Sequence, residues 1–296
     1  MTIRRNSGQG GVALSSKAVR RSFDAASADY DAAAVLQKEV RGRLLERLDF
    51  VKLEPAVILD LGAGTGHASR SLKDRYPGAR VIALDLAQGM LVEAKRRVGW
   101  FRRFERVCAD AGRLPLKDRS VDLVVSNLML QWCDPPDAVL NEVKRILKPG
   151  GLFTFTSLGP DTLRELRVSW SKVDDHPHVH RFIDMHDLGD ALVRAGLAEP
   201  VLDVENFTLT YQDARSLMRE LKTIGARNAA QERSPGLTGR GALRLLENAY
   251  EQFRQDGVLP ATYEVVYGQA WGRLTEPRAV SGGSEVRIPV DSLRRR

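Results

Sequence analysis

The sequence predicts an α/β fold: a doubly wound, mostly parallel seven-stranded sheet with a helical cap inserted between the last two strands. Three observations predict it. Short apolar runs at 57–61, 81–85, 121–126 and 152–156 alternate with helical patterns, as strands of a sheet covered on both faces do. The first run ends at once in Gly62, Gly64 and Gly66, a turn that opens a helix. Two β-rich stretches, 201–211 and 261–271, are separated by two helical patterns, which suits a closing antiparallel pair with an insertion.

Residues 1–18 are mostly polar and glycine-serine rich and are expected to form a disordered tail. Over 19–49 the chain reads as mostly helical, because Leu36, Val40, Leu44, Leu45 and Leu48 recur at helical spacing. Helices are expected at about 67–75 and 89–98, then a short strand around 106–109 and a helix near 138–147. Lys148-Pro149-Gly150-Gly151 marks a sharp stop before the strand at 152–156. Further helices are expected at 186–195, ended by Gly196, and at about 214–224 and 243–254. One domain thus spans 19–272, with its helical insertion at about 212–258, and 273–296 forms a second tail.

Composition narrows the function. The two cysteines, Cys108 and Cys133, lie far apart without a C-x-x-C, which suggests neither a disulfide framework nor a zinc site and fits a reducing cytoplasm. No apolar run approaches a membrane span, and no secretory signal is recognisable. The net charge of +7 favours an acidic partner. Lys95, Arg96, Arg97, Arg102, Arg103 and Arg106, interleaved with Trp100 and Phe101, read either as a base-stacking surface or as a solvated helix end. His176, His178, His180 and His186 invite a metal reading, but no second ligand cluster of recognised spacing accompanies them, and no metal is expected.

The glycine turn carries the chemistry. A dinucleotide site wants a third small residue where His67 stands. Asp60, immediately before the glycines, would repel a pyrophosphate but favours the ammonium and sulfonium of S-adenosylmethionine. Asp85, at the end of the next strand, is placed to grip both ribose hydroxyls. The expected cofactor is therefore S-adenosyl-L-methionine, held by Asp60, Gly62, Ala63, Gly64, Gly66, Asp85, Leu86, Met90, Asp110, Ala111 and Asn127. Two of these keep a second reading: Asp110 accepts from adenine or caps an Asx turn, and Met90 covers adenine or fills the core.

Asp60-Leu-Gly-Ala-Gly-Thr-Gly66, the second-strand acid, Asp110-Ala-Gly-Arg-Leu-Pro115 and the Lys148 turn resemble the class I S-adenosylmethionine-dependent methyltransferases. Outer segments are similar to one subfamily, the malonyl-acyl-carrier-protein O-methyltransferases of biotin synthesis. These are Phe23–Tyr30 with Leu36-Gln37, Asn127–Trp132, Gly159–Leu166, Leu221–Ala226 and Leu259–Tyr267. The resemblance implies methylation of the free carboxylate of a malonyl thioester on an acidic acyl carrier protein, with no membrane and no nucleic acid involved. The ester masks a charge, so that fatty-acid synthesis can extend the chain.

A carboxylate is ionised at neutral pH and needs no general base, only alignment and a counter-cation. Arg164, Arg181 and Lys222 are the candidates for that cation, each with an ordinary surface role as the alternative. Tyr30 either closes over the methyl group or packs the first helices on the sheet. Other readings keep the cofactor and change the substrate to another small acid, a quinone precursor or RNA. An assembly factor of respiratory complex I, a protein-arginine hydroxylase, also resembles these segments, but Pro160 after Gly159 and Lys222 are closer to the carboxyl methyltransferases.

Overall fold

The computed structural model describes residues 15–98, 103–133, 135–226 and 239–274. The chain opens with α1 (Ser16–Ala26), α2 (Tyr30–Ala33) and α3 (Val35–Glu46). Helix α1 begins inside the stretch expected to be tail, because the Ser15 side chain accepts from Ala18 N and satisfies an otherwise orphaned donor. Strands and helices then alternate: β1 (Val57–Leu61), α4 (His67–Arg75), β2 (Arg80–Asp85), α5 (Gln88–Lys95) and β3 (Glu105–Cys108). Next come β4 (Val121–Ser126), α6 (Asp137–Ile146), β5 (Leu147–Leu158), α7 (Arg164–Trp170) and α8 (Met185–Ala195). The last elements are β6 (Ala198–Tyr211), α9 (Ala214–Thr223), α10 (Arg240–Tyr250) and β7 (Leu259–Trp271).

Among the described residues, seven strands form one sheet, in the order β3-β2-β1-β4-β5-β7-β6. The first five strands pair in parallel, while β7 runs antiparallel to both β5 and β6. The order reverses between β1 and β4, and open α/β sheets bind ligands at such a switch point, beyond the carboxyl ends of the strands. Register delivers the acids there: Asp60 is level with Ala83, and Asp85 ends β2 opposite Cys108.

Alternation along each strand feeds two apolar layers. Ile58, Val81, Ala83 and Leu123 pack with Val40 and Leu44 of α3 on one face. Leu59, Leu61, Ile82 and Val124 pack with Leu140 and Val143 of α6 and Leu192 of α8 on the other.

Two further features differ from the sequence reading. The turn at Lys148 belongs to β5, because Gly150 N donates to Gly272 O at 2.9 Å and Gly272 N to Gly151 O at 2.8 Å, drawing it into the sheet. Helix α7 was not expected: it is short and starts from Leu163 in the left-handed region (φ 56°) instead of a polar cap. Its buried Glu165 accepts from Thr262 N at 3.0 Å and from the Thr262 hydroxyl, fixing α7 to β7.

Helices α9 and α10 lie in sequence between β6 and β7, and their Leu217, Leu246 and Tyr250 join the first apolar layer. The turn after α9 meets α1 closely. A Cβ at Gly225, whose φ is 74°, would sit 3.1 Å from the Ala26 Cβ. The remainder of the insertion, 227–238, lies outside the described residues, as do 1–14 and 275–296 of the expected tails.

Candidate active site

Two cavities of about 450 and 480 Å³ open at the switch point and share Tyr30, Gly62, Gly64 and Asn127 as walls. The glycine turn between them has a steric cause. Gly62 has φ 77°, and a Cβ there would lie 2.4 Å from the Met129 Cγ. Gly64 has φ 54°, and a Cβ there would meet nothing within 4 Å, so its backbone faces open space that a ligand can approach. Gly66 lines neither cavity; it begins α4, where a Cβ would press on Ala94 at 2.8 Å.

The first cavity, of about 450 Å³, holds Asp85, Leu86, Met90, Asp110, Ala111 and Asn127 together. Asp85 Oδ2 accepts from Gly64 N and Oδ1 from Ala87 N, both at 2.8 Å, which fixes the carboxylate plane toward the crevice. Burial raises its pKa, with those backbone bonds working against the rise. Asp110 Oδ1 caps an Asx turn by accepting from Gly112 N at 2.8 Å, and the residue also lines the cavity. Asn127 ties the crevice to α3, donating to Gln37 O at 3.2 Å and accepting from the Thr156 hydroxyl at 3.0 Å. An acid for vicinal hydroxyls and a second acid beside an apolar wall fit an adenosine.

The second cavity contains Asp60 and Ala63 and faces them with Arg41 of α3. Asp60 is 1% exposed and accepts from the Ser69 hydroxyl. Desolvation lifts its pKa to about 6 against that bond, while nearby Arg41 pulls it down. Burial in turn lowers the Arg41 pKa, with Asp60 opposing. A buried carboxylate opposite a half-buried guanidinium matches the ammonium and carboxylate of an α-amino acid. The two cavities together therefore fit S-adenosylmethionine, adenosine in one and methionine in the other.

Asp31 closes the wall of the second cavity. It pairs with Arg97, accepts from the Thr65 hydroxyl at 2.6 Å and lies 3.3 Å from His67 Nε2, while Arg97 Nη1 also donates to Thr65 O at 2.9 Å. Arg97, one of the six cations of the basic run, thus serves the site's own wall, and Arg96 pairs with Glu93. Trp100, Phe101 and Arg102 of that run lie outside the described residues.

Tyr30 stands where both cavities meet a third, small chamber lined by Phe23, Trp132, Leu158, Leu163, His180 and Phe182 among others. Burial raises the Tyr30 hydroxyl pKa, so it stays protonated. Arg164, Arg181 and Lys222 are not brought to this meeting point. All three are exposed and line none of these cavities; Arg164, 57% exposed, lies near Asp161 and Glu165. Their chain neighbours Leu163, His180, Phe182 and Leu221 do line the chamber, so the three cations sit on the outside of its wall. The structure thus places the three cations expected to position a substrate carboxylate off the walls of these cavities.

Two of the histidines of 176–180 pack on aromatic rings. His178 stacks on Trp170 with ring centroids 3.6 Å apart and bonds Asp174 at 2.8 Å. His180 packs on Trp132 at 5.1 Å and Phe182 at 4.5 Å. Among the described residues no group of three or more His, Cys, Asp or Glu side chains is arranged to hold a metal.

Residues 59–155 match the methyltransferase domain family. The chain is 57% identical over 259 residues to the malonyl-[acyl-carrier protein] O-methyltransferase of Methylovorus sp., covering 86% of this chain and 88% of that one. The chain belongs to the malonyl-[acyl-carrier protein] O-methyltransferase family. The Gallionella capsiferriformans member is 52% identical, covering 87% of this chain and 91% of its own. Phosphoethanolamine N-methyltransferase 2 of Haemonchus contortus, solved with S-adenosyl-L-methionine, shares the fold at a TM-score of 0.55 and 17% identity, over 86% of this chain and 60% of that one. Members of the methyltransferase family use S-adenosylmethionine, and the paired cavities are the candidate site for it in this chain.

Sequence reasoning missed Arg41, Asp31 and Arg97. Asp31 is adjacent to Tyr30, and Arg41 is one helical turn beyond Gln37, so both carried a local signal once α2 and α3 were placed over the glycine turn.

Proposed function

We propose that this protein methylates the free carboxylate of a malonyl thioester carried on acyl carrier protein, as the family resemblance to biotin synthesis implies. The observation that carries the reading is the meeting of three spaces at Tyr30: an adenosine cavity, an Asp60–Arg41 cavity and an uncharged chamber. The cofactor supplies an electrophilic methyl group on a positively charged sulfur. The chain's own residues do the rest. Asp85 and Asp60 orient the two ends of the donor, and Arg41 anchors its carboxylate. Tyr30, protonated and at the junction, closes the passage through which the acceptor reaches the methyl.

No general base is required, since the acceptor carboxylate is ionised at neutral pH. What accelerates the reaction is alignment and loss of hydration on entry into the chamber. The exposed Arg164, Arg181 and Lys222 on the chamber's outer wall meet an acidic carrier protein and steer it in. The reducing cytoplasm suits the enzyme, whose two cysteines are free.

Complementation tests the reading in a cell. The gene should restore growth to a biotin auxotroph lacking its own malonyl carboxyl methyltransferase, and the Asp85→Ala form should not. Growth supported equally by both would overturn it.

A further inference from the structure

The small chamber has a volume of about 60 Å³ and shares Phe23, Tyr30, Leu128 and Trp132 with the adenosine cavity. Among the described residues, no Asp, Glu, Lys or Arg lines it. It nevertheless holds two buried polar atoms that lack any partner, His180 Nε2 and Gln131 Oε1. Buried polar groups are nearly always hydrogen-bonded, so an orphaned nitrogen able to donate, beside a ligand cavity, marks a position that a ligand acceptor can satisfy.

We propose that this chamber receives the malonyl group and that His180 positions its carboxylate through a hydrogen bond donated by Nε2. The proposal rests on the carboxyl-methylation reading above and assigns its acyl site.

Size favours the occupant. At roughly 10–15 Å³ for each water-sized group, the chamber takes about four to six small groups. That is about the size of the acyl portion of malonate beyond sulfur.

Charge fixes its orientation. Burial, with help from the Arg167 guanidinium, holds the His180 pKa down at about 4, so the ring is neutral and can carry a proton on Nε2. Arg167 itself is committed to the backbone, donating to Pro160 O at 3.0 Å and Thr162 O at 2.8 Å. Gln131 is spoken for on its amide side, donating to Leu128 O at 2.6 Å, and its unpartnered oxygen would repel a carboxylate. The acid end therefore lies at His180.

A neutral donor suits this reaction better than a fixed cation. Methylation removes the acceptor's negative charge, so a buried cation would stabilise the ground state most and raise the barrier. One bond from His180 orients one oxygen and leaves the other bare.

The test compares parent, His180→Ala and His180→Gln on malonyl and succinyl carrier protein, with calorimetric affinity for S-adenosylmethionine measured alongside. His180→Ala should lose roughly 10–100-fold in kcat/KM on malonyl carrier protein at unchanged cofactor affinity, and Gln, which places an amide donor near Nε2, should recover most of it. Leu158→Ala enlarges the chamber and should raise succinyl turnover relative to malonyl at least about tenfold. His180→Ala equal to the parent, Gln no better than Ala, or an unchanged malonyl preference in Leu158→Ala would overturn the chamber assignment. A parent that binds the cofactor but never methylates malonyl carrier protein would instead overturn the reaction itself, and the chamber with it.

Discussion

Asp60→Asn should make the protein more stable and the enzyme worse. In the folded chain Asp60 is 1% exposed and its pKa is lifted from 3.8 to about 6, chiefly by desolvation. The folded state therefore binds more protons than the unfolded state between those values, and stability falls as pH rises through that window. Above about pH 6 the full cost is present, about 3 kcal/mol for a shift of roughly two units. Asparagine keeps an oxygen for the Ser69 hydroxyl and removes the charge. The variant should then melt about 5–10 °C higher at pH 7.5, given a few degrees per kcal/mol for a domain of this size. The gain should fade as pH drops from 6 toward 4, where the parent carboxylate is protonated in the fold. Without its partner for the ammonium, the same variant should bind S-adenosylmethionine at least about tenfold more weakly, the worth of a charge-assisted hydrogen bond. Paired thermal melts and calorimetry check both. A variant that melts lower at every pH, or binds the cofactor unimpaired, refutes the assignment of Asp60 as a buried charge kept for the ligand.

The same linkage predicts that parent affinity for S-adenosylmethionine weakens as pH falls below about 6, with proton release on binding detectable by calorimetry in buffers of different ionisation heat. Gly62→Ala should destabilise the fold by about 1–3 kcal/mol and abolish cofactor binding, because its Cβ meets Met129 at 2.4 Å and its φ is 77°; a melt and a binding titration read it. Alanine at Arg164, Arg181 and Lys222 together should raise KM for malonyl carrier protein and flatten its salt dependence while leaving cofactor affinity unchanged; intact steady-state kinetics would remove them from carrier recognition.

The cofactor half of the site was legible because its signals are local. Strand, acid and glycines run on contiguously through Asp60 to Gly66, and β2 repeats the acid at its own end, Asp85, two residues beyond the partner of Asp60. The acyl chamber was not legible because distant segments build it: Phe23 of α1, Trp132 after β4, His180, Leu221 of α9 and Tyr263 of β7 meet only in the fold. Residues 180–182 show why sequence and structure draw attention to different side chains. The backbone there is not helical, and alternate residues face opposite ways, so His180 and Phe182 turn in while Arg181 turns out. Charge made Arg181 conspicuous in the sequence, whereas burial made His180 informative in the structure. Helix α7 was hidden for a similar reason: its anchor, Glu165 on Thr262, spans the chain from the end of β5 to β7.

Intact-mass analysis of malonyl carrier protein after incubation with the purified protein and S-adenosylmethionine tests the central claim most directly. The account predicts a gain of one methyl group that mild alkaline ester hydrolysis removes, with the non-methylated acetyl carrier protein unchanged in a parallel reaction. A carrier of unaltered mass, or a methyl group that survives hydrolysis, would contradict it.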